Sequence, residues 1–187
     1  MNYLLPLLSV LFGYGIALFV QPKSKKNLKL LLAFSGSFLL SLTVMHLIPE
    51  VYKSENKTIG VFIMVGILFQ IILEFFSKGA EHGHVHGHDK IAKMPWLLFI
   101  SLCLHAFLEG FPVGHHPDLA IGIAIHHLPI AVILTTFFLH AELNKKALFL
   151  FMLAFAVMTP LGTFFSEKVA FVNEYYNEIT AIVIGIL

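Results

Sequence analysis

The stretch PWLLFISLCLHAFLEGFPVG, residues 95–114, is an apolar run interrupted by one histidine and one glutamate. About 20 apolar residues are enough for a helix to cross a lipid bilayer. His105 and Glu109 are four residues apart, so on a helix they share one face and lie one turn from each other. The stretch therefore predicts a membrane-spanning helix that carries a polar site in its interior.

The whole chain is more apolar than a soluble domain of its length needs to be. Of its 187 residues, 58% are hydrophobic and 12% are charged, whereas soluble domains average about 25% charged residues. So much apolar surface must face something other than water, and the lipid bilayer is the natural partner. The net charge of +1 argues against a nucleic-acid partner, and the single cysteine, Cys103, excludes a disulfide framework and a thiolate metal cage.

Seven apolar runs follow one another along the chain. In lipid, backbone groups must be paired internally, so runs of this length without alternation are helices. The first run lacks a basic leader, so we interpret it as a retained helix rather than a signal peptide. We predict an all-α, polytopic transmembrane helix bundle that forms one domain over residues 1–187. The last run is still apolar where the sequence stops, so we expect an incomplete C-terminal end. The runs are 2–20, 30–49, 60–77, 95–114, 119–140, 147–165 and 176–187.

The lysines predict the orientation of this bundle. Nine of the twelve lie in the segments after the first, third and fifth runs, and three lie in the other segments. Because positive charge is enriched on the cytoplasmic side, the N-terminus is expected outside. We expect an integral protein of the cell membrane, either plasma or inner.

The segment 78–94 is polar and rich in glycine and histidine, and the lysine distribution places it in the cytoplasm. Tracts of this composition bind metal ions. We therefore predict a loop that captures metal, and the alternative is a linker without that role. Its candidate ligands are His82, His84, His86 and His88.

The fifth run adds His126 and His127 to the polar pair of the fourth run. Antiparallel helices joined by a short loop bring these residues to similar depths. A charged group at the bilayer centre costs about 2.5–3.5 kcal/mol, and a bound divalent cation would supply the missing partner. Imidazole with carboxylate suits zinc and its first-row neighbours. We predict a metal site formed by these four side chains; a hydrogen-bonded polar cluster is the alternative.

Three further side chains lie at the ends of runs. His46 and Glu50 close the second run on its outer side and are candidates for an entrance. Glu74 lies near the cytoplasmic end of the third run and is a candidate for an exit.

Small residues recur at every fourth position in two of the runs. Such stripes let helix backbones approach closely in lipid, so we predict tight packing there. The stripes are Ala33, Ser37 and Ser41 in the second run, and Gly110 and Gly114 in the fourth.

The motifs HAFLEG at 105–110 and HHLPIA at 126–131 together resemble the ZIP (Zrt/Irt-like) metal transporters. That family has His-Asn-x-Pro-Glu-Gly in its fourth helix and His-Glu-x-Pro in its fifth. HLIPE at 46–50, the histidine-rich segment after the third run and TPLG at 159–162 occur in the same order. The resemblance implies eight helices, an external N-terminus and import of a divalent cation, most simply Zn2+, as cargo rather than as a prosthetic group. It implies a transporter and not an enzyme, and a homodimer is a candidate assembly.

Four positions depart from the pattern of the family. Ala106 replaces the asparagine, His127 replaces the first acid of the fifth helix, Ile130 stands where a second acid often occurs, and Thr159 supplies no carboxylate. The resemblance with these departures predicts one bound ion rather than two, and zinc rather than the harder manganese.

Two other functions fit the same residues. An intramembrane zinc-dependent hydrolase needs three protein ligands and an open position on the metal, but it also needs a general base besides Glu109. A metal-sensing membrane protein would read the ion through the histidine-rich loop.

Overall fold

The computed structural model describes residues 3–20, 25–54, 56–77 and 95–187, and the regular elements in these ranges are all helices. Each of the seven predicted runs forms one, which confirms the all-α fold. Helix α2 continues through a π-helical turn, Thr43–Leu47, and a last turn, Ile48–Val51. Helix α4 continues into a 3-10 turn, Phe111–Gly114, and a short helix, Ala170–Glu174, precedes α7. The helices are α1 Leu4–Val20, α2 Lys25–Leu42, α3 Ile59–Ser77, α4 Trp96–Glu109, α5 Pro117–His140, α6 Lys145–Lys168 and α7 Tyr176–Ile186.

Five helices, α2 to α6, are long and apolar enough to cross a membrane, and α1 and α7 are shorter apolar helices. Large apolar side chains cover the outside of the bundle, with Phe19 90% exposed and Phe75 78% exposed. In α2 and α3 only 22% and 17% of the membrane-length window is buried, against 61% in α4 and α5. Lipid is the solvent that accepts such a surface, so the chain is an integral membrane protein.

Several helices begin before the apolar run that predicts them. Helix α2 starts at Lys25, and α6 starts at Lys145 directly after Asn144. The Asn144 side chain accepts a hydrogen bond from the backbone N–H of Lys146 at 2.8 Å, which caps α6.

Helices α4 and α6 are held in backbone contact by two glycines. A Cβ at Gly110 would collide with the carbonyl oxygen of Thr159, and one at Gly162 would collide with the carbonyl oxygen of Phe107. The tight packing predicted at Gly110 is therefore confirmed. This contact fixes α4 along the segment that carries the polar pair.

The small-residue stripe on α2 behaves differently from the one on α4. Ala33, Ser37 and Ser41 are exposed, and the two serine hydroxyls donate to carbonyl oxygens of their own helix at 2.8 and 2.9 Å. The prediction that this stripe packs tightly is wrong within one copy of the described chain. Because these hydroxyls donate to carbonyls of their own helix, they need no hydrogen-bond partner on a neighbouring helix.

Hydroxyl groups of α6 donate to carbonyls at the point where α4 ends and the 3-10 turn begins. Thr163 Oγ1 donates to the carbonyl of Gly110 at 2.8 Å, and Ser166 Oγ donates to that of Phe111 at 2.9 Å. Unpaired backbone groups are expensive at membrane depth. The two bonds therefore allow the chain to leave α4 and enter the 3-10 turn inside the bundle.

Candidate metal site

Helix α4 presents its predicted pair to the interior of the bundle. His105 is 6% exposed and Glu109 is completely buried. His105 Nε2 lies 3.0 Å from Glu109 Oε1, as expected for residues one helical turn apart. Both lie in the membrane-length segment Trp96–Gly114, with His105 near its centre.

Helix α5 brings the second pair of imidazoles to the same carboxylate. His127 is 1% exposed, and its Nε2 donates to Glu109 Oε2 at 2.7 Å. The other face of this imidazole packs on Phe155, with ring centroids 5.2 Å apart. Both oxygens of Glu109 therefore meet an imidazole, one from its own helix and one from α5.

His126 stands on a different side of α5 and completes a three-ligand group. One ligand atom from each of His105, Glu109 and His126 lies within 4.8 Å of the others. Among the described residues, this is the group of metal-binding side chains whose ligand atoms converge in this way. With bonds of about 2.1 Å, two ligands of a tetrahedral zinc are about 3.4 Å apart, so small side-chain rotations close the group on an ion.

A glutamine on α3, which the sequence did not single out, supports this group. Gln70 Oε1 lies 3.0 Å from His105 Nδ1, within hydrogen-bond distance for an Nδ1–H donor. Both ring nitrogens of His105 thus face oxygen atoms. A hydrogen bond at Nδ1 leaves Nε2 as the nitrogen that could bind a metal, which is how outer partners orient histidine ligands. The feature of the sequence that could have indicated this role is that Gln70 is an isolated amide inside the apolar run 60–77.

At the positions where the family resemblance would place further ligands, the chain has side chains without a carboxylate. Ala106 and Ile130 are buried and belong to an apolar cluster with Phe155. Thr159 is also buried, and its Oγ1 has no hydrogen-bond partner among the described residues. A hydroxyl or an aliphatic group cannot bridge two divalent ions as a carboxylate does.

A cavity of about 660 Å³ leads away from the group. Its lining includes His105, His126 and Gln70, and also Lys29 near the start of α2. Glu74 is half-buried and lies one helical turn beyond Gln70 toward the end of α3. The cavity therefore joins the converging ligands to the lysine-bearing end of the bundle.

The candidate entrance residues lie away from the buried group, at the far end of α2. His46 is exposed on the π-helical turn, and Glu50 is half-buried on the turn that follows. Glu50 Oε2 lies 2.6 Å from Nε2 of His116, a residue that the sequence does not mark as functional. The loop candidates His82, His84, His86 and His88 lie outside the described residues.

Comparison with known proteins gives one informative similarity. No protein-family model matches the chain. The zinc transporter ZIP1 of Danio rerio is 24% identical over 110 residues, which cover 46% of this chain and 36% of that protein. The chain thus spans about a third of the length of the curated relative it matches. At this identity the chain is distantly similar to a zinc transporter, which is consistent with a function in metal-ion transport.

Proposed function

We propose that this protein transports divalent transition-metal cations, zinc above all, into the cytoplasm through a single buried site formed by His105, Glu109 and His126. The observation that carries the proposal is the convergence of these three ligand atoms within 4.8 Å, inside a bundle of apolar helices. The distant similarity to a zinc transporter supports the same conclusion.

Burial of Glu109 argues for a cation at this site. The side chain is 0% exposed, and its near partners are the imidazoles of His105 and His127. A carboxylate taken out of water needs compensating charge, because its desolvation penalty is several kcal/mol. A divalent cation between the carboxylate and neutral imidazoles supplies that charge and replaces the proton on a ring nitrogen.

The donor set favours zinc over harder cations. Two imidazoles and one carboxylate match the nitrogen-rich sites of zinc, whereas magnesium, calcium and manganese prefer oxygen ligands. Three protein ligands leave one tetrahedral position open for water. His127 orients the carboxylate through its hydrogen bond to Oε2, and it becomes a fourth ligand only if that bond is released and Nε2 loses its proton.

Transport fits this group better than hydrolysis does. A zinc hydrolase needs a general base beside the metal, and Glu109 is already a ligand in the proposed set. Gln70, the neighbour on α3, is an amide and cannot serve as a base. The remaining imidazole, that of His127, is engaged through Nε2 with Glu109 Oε2 and packs on Phe155. A site with one carboxylate also holds its ion with a net positive charge, which favours release after binding.

The cavity supports release toward the cytoplasm. It runs from His105 and His126 to Lys29, and the lysine distribution assigns that end of the bundle to the cytoplasmic side. Glu74 lies along this side of α3 and is the proposed exit residue. The histidines of the loop 78–94 would receive ions there, and His46 and Glu50 would admit them at the other end.

One ion at a time is the expected occupancy. Two divalent cations a few ångströms apart repel strongly in a low-dielectric site unless carboxylates bridge them. Glu109 is the carboxylate in the converging group, and the neighbouring Ala106 and Ile130 pack in an apolar cluster. This arrangement supports a single-ion pathway.

Zinc flux into proteoliposomes loaded with a zinc-sensitive dye tests the proposal. His105→Ala and Glu109→Ala each remove a ligand, so flux should fall to the level of empty vesicles while the protein still inserts. His140→Ala is the matched control, because His140 is exposed at the end of α5 and bonds its own helix at the carbonyl of Thr136. Wild-type flux in both ligand variants would refute the proposal.

A further inference from the structure

A second pair of metal-binding side chains lies at the end of α2 opposite to Lys29. Glu50 on the turn Ile48–Val51 and His116 directly before α5 approach to 2.6 Å between Oε2 and Nε2. Their side chains are 36% and 20% exposed. Glu50 and Lys29 are 21 residues apart in sequence, which corresponds to about 30 Å of helix at 1.5 Å per residue.

A cavity of about 190 Å³ adjoins this pair. His46, His115, His116 and Asp118 line it, so imidazoles and a carboxylate from α2 and from the start of α5 face one space. The ring of His115 packs on Tyr176 with centroids 4.1 Å apart, which holds it beside the cavity. Five metal-binding side chains are therefore gathered at one mouth of the bundle.

The stability of the fold does not depend on bringing these polar side chains together. The contact between α2 and α5 is made by buried apolar side chains, including Leu39, Leu47 and Ile123. A partly exposed ion pair adds only about 0–1 kcal/mol to stability. The π-helical turn Thr43–Leu47, which carries His46 to the cavity, is a feature that occurs frequently at functional sites.

We propose that Glu50 and His116 form a second, weaker divalent-cation site at this mouth, which collects transition-metal ions before they reach the buried ligands. Its ligands differ from the candidate entrance predicted from sequence, since the imidazole that meets Glu50 is His116 rather than His46. His46, His115 and Asp118 surround the adjoining space, and water completes the shell of the ion. Two partly exposed protein ligands, with water as the others, make such a site weak and fast to exchange, as a collecting site requires. Binding at this site stands by itself, and its collecting role rests on the proposed transport function.

Titration calorimetry with zinc on the purified full chain tests the binding. Apart from ions held by the loop histidines, which all these variants retain, the wild type should bind one tighter and one weaker ion. The dissociation constant of the weaker ion should rise at least tenfold in Glu50→Gln and in His116→Gln. His140→Gln should bind as the wild type does. Glu109→Gln should lose the tighter ion and keep the weaker one, so that failure of the buried site and failure of the outer site are read separately.

A matched pair of variants separates loss of a ligand from misfolding. Glu50→Asp keeps a carboxylate and should retain the weaker ion, whereas Glu50→Asn, of the same size, should lose it. Equal affinity of these two variants, or absence of a second ion in the wild type, would overturn the proposal. In proteoliposomes, His116→Gln should raise the half-saturating zinc concentration severalfold, and an unchanged value would remove the collecting role.

Discussion

The buried group around Glu109 and the outer pair at Glu50 use the same kinds of side chain, yet they differ in exposure. Glu109 is completely buried and meets an imidazole at each oxygen, whereas Glu50 is 36% exposed and meets the single imidazole of His116. Water can satisfy the outer carboxylate but cannot reach the inner one. In the proposed mechanism, burial rather than residue type therefore distinguishes the site that requires a cation from the site that only attracts one.

The two sites also differ in what holds them. The buried ligands lie within helices whose backbones touch at Gly110 and Gly162, and Gln70 adds a hydrogen bond from α3. The outer residues lie at helix ends, Glu50 on the turn Ile48–Val51 and His116 directly before α5. Rigid support gives a site its affinity and selectivity, so damage to the support should harm the buried site first.

The largest effect is expected from breaking the contact between α4 and α6. In Gly162→Val the new side chain collides with the carbonyl of Phe107, half a turn from Glu109. Overpacking of this kind lowers the free energy of unfolding by about 1–3 kcal/mol, and displacement of α4 should abolish the tighter zinc ion while the weaker one remains. Gly15→Val is the control, because a Cβ at Gly15 meets nothing within 4 Å. Calorimetry measures the zinc affinity, and chemical unfolding measures the free energy of unfolding. Wild-type zinc affinity in Gly162→Val would contradict this prediction.

A smaller effect is expected at the support of His105. Gln70→Leu removes the oxygen that faces Nδ1 at 3.0 Å. Loss of an outer partner of a metal ligand typically lowers metal affinity 10- to 100-fold, so the dissociation constant of the tighter ion should rise by about that factor. Gln70→Glu keeps an acceptor oxygen and should bind within severalfold of the wild type. If the leucine and glutamate variants bind zinc equally well, Gln70 does not position His105.

The smallest effect is expected from the histidine-rich loop. Deletion of residues 81–88 removes four candidate ligands outside the described part of the chain. Since the converging group lies on α4 and α5, maximal zinc flux should persist and only the apparent affinity or its regulation should change. Loss of all flux in a correctly inserted deletion variant would show that the loop belongs to the pathway.

The sequence predicts the helices well because the thickness of the bilayer sets the length of an apolar run that crosses it. It also indicates the pairing of His105 with Glu109, since spacing by four residues fixes a shared helical face. Contacts between segments that are distant in sequence are harder to predict. Because Gln70 carries no charge, it is a weaker sign of function in an apolar run than Glu74. Gln70 is nevertheless the residue whose side-chain oxygen faces His105 Nδ1.

The outer pair shows the same limit more clearly. Nothing in the spacing of His115 and His116 reveals that the end of α2 brings Glu50 to them. The sequence predicts His126 as a third ligand and His127 as a fourth or alternating one, but it does not show how the two imidazoles are placed around Glu109. The geometry separates them, because His126 joins the converging group and His127 bonds Glu109 from the side of Phe155.

Anomalous scattering from crystals of the protein soaked in zinc tests the central claim most directly. The account predicts one strong peak between α4 and α5, within about 2.3 Å of ligand atoms from His105, Glu109 and His126. A weaker peak beside Glu50 and His116 is expected at the outer mouth. Two fully occupied peaks between α4 and α5, or no peak in contact with Glu109, would contradict the account.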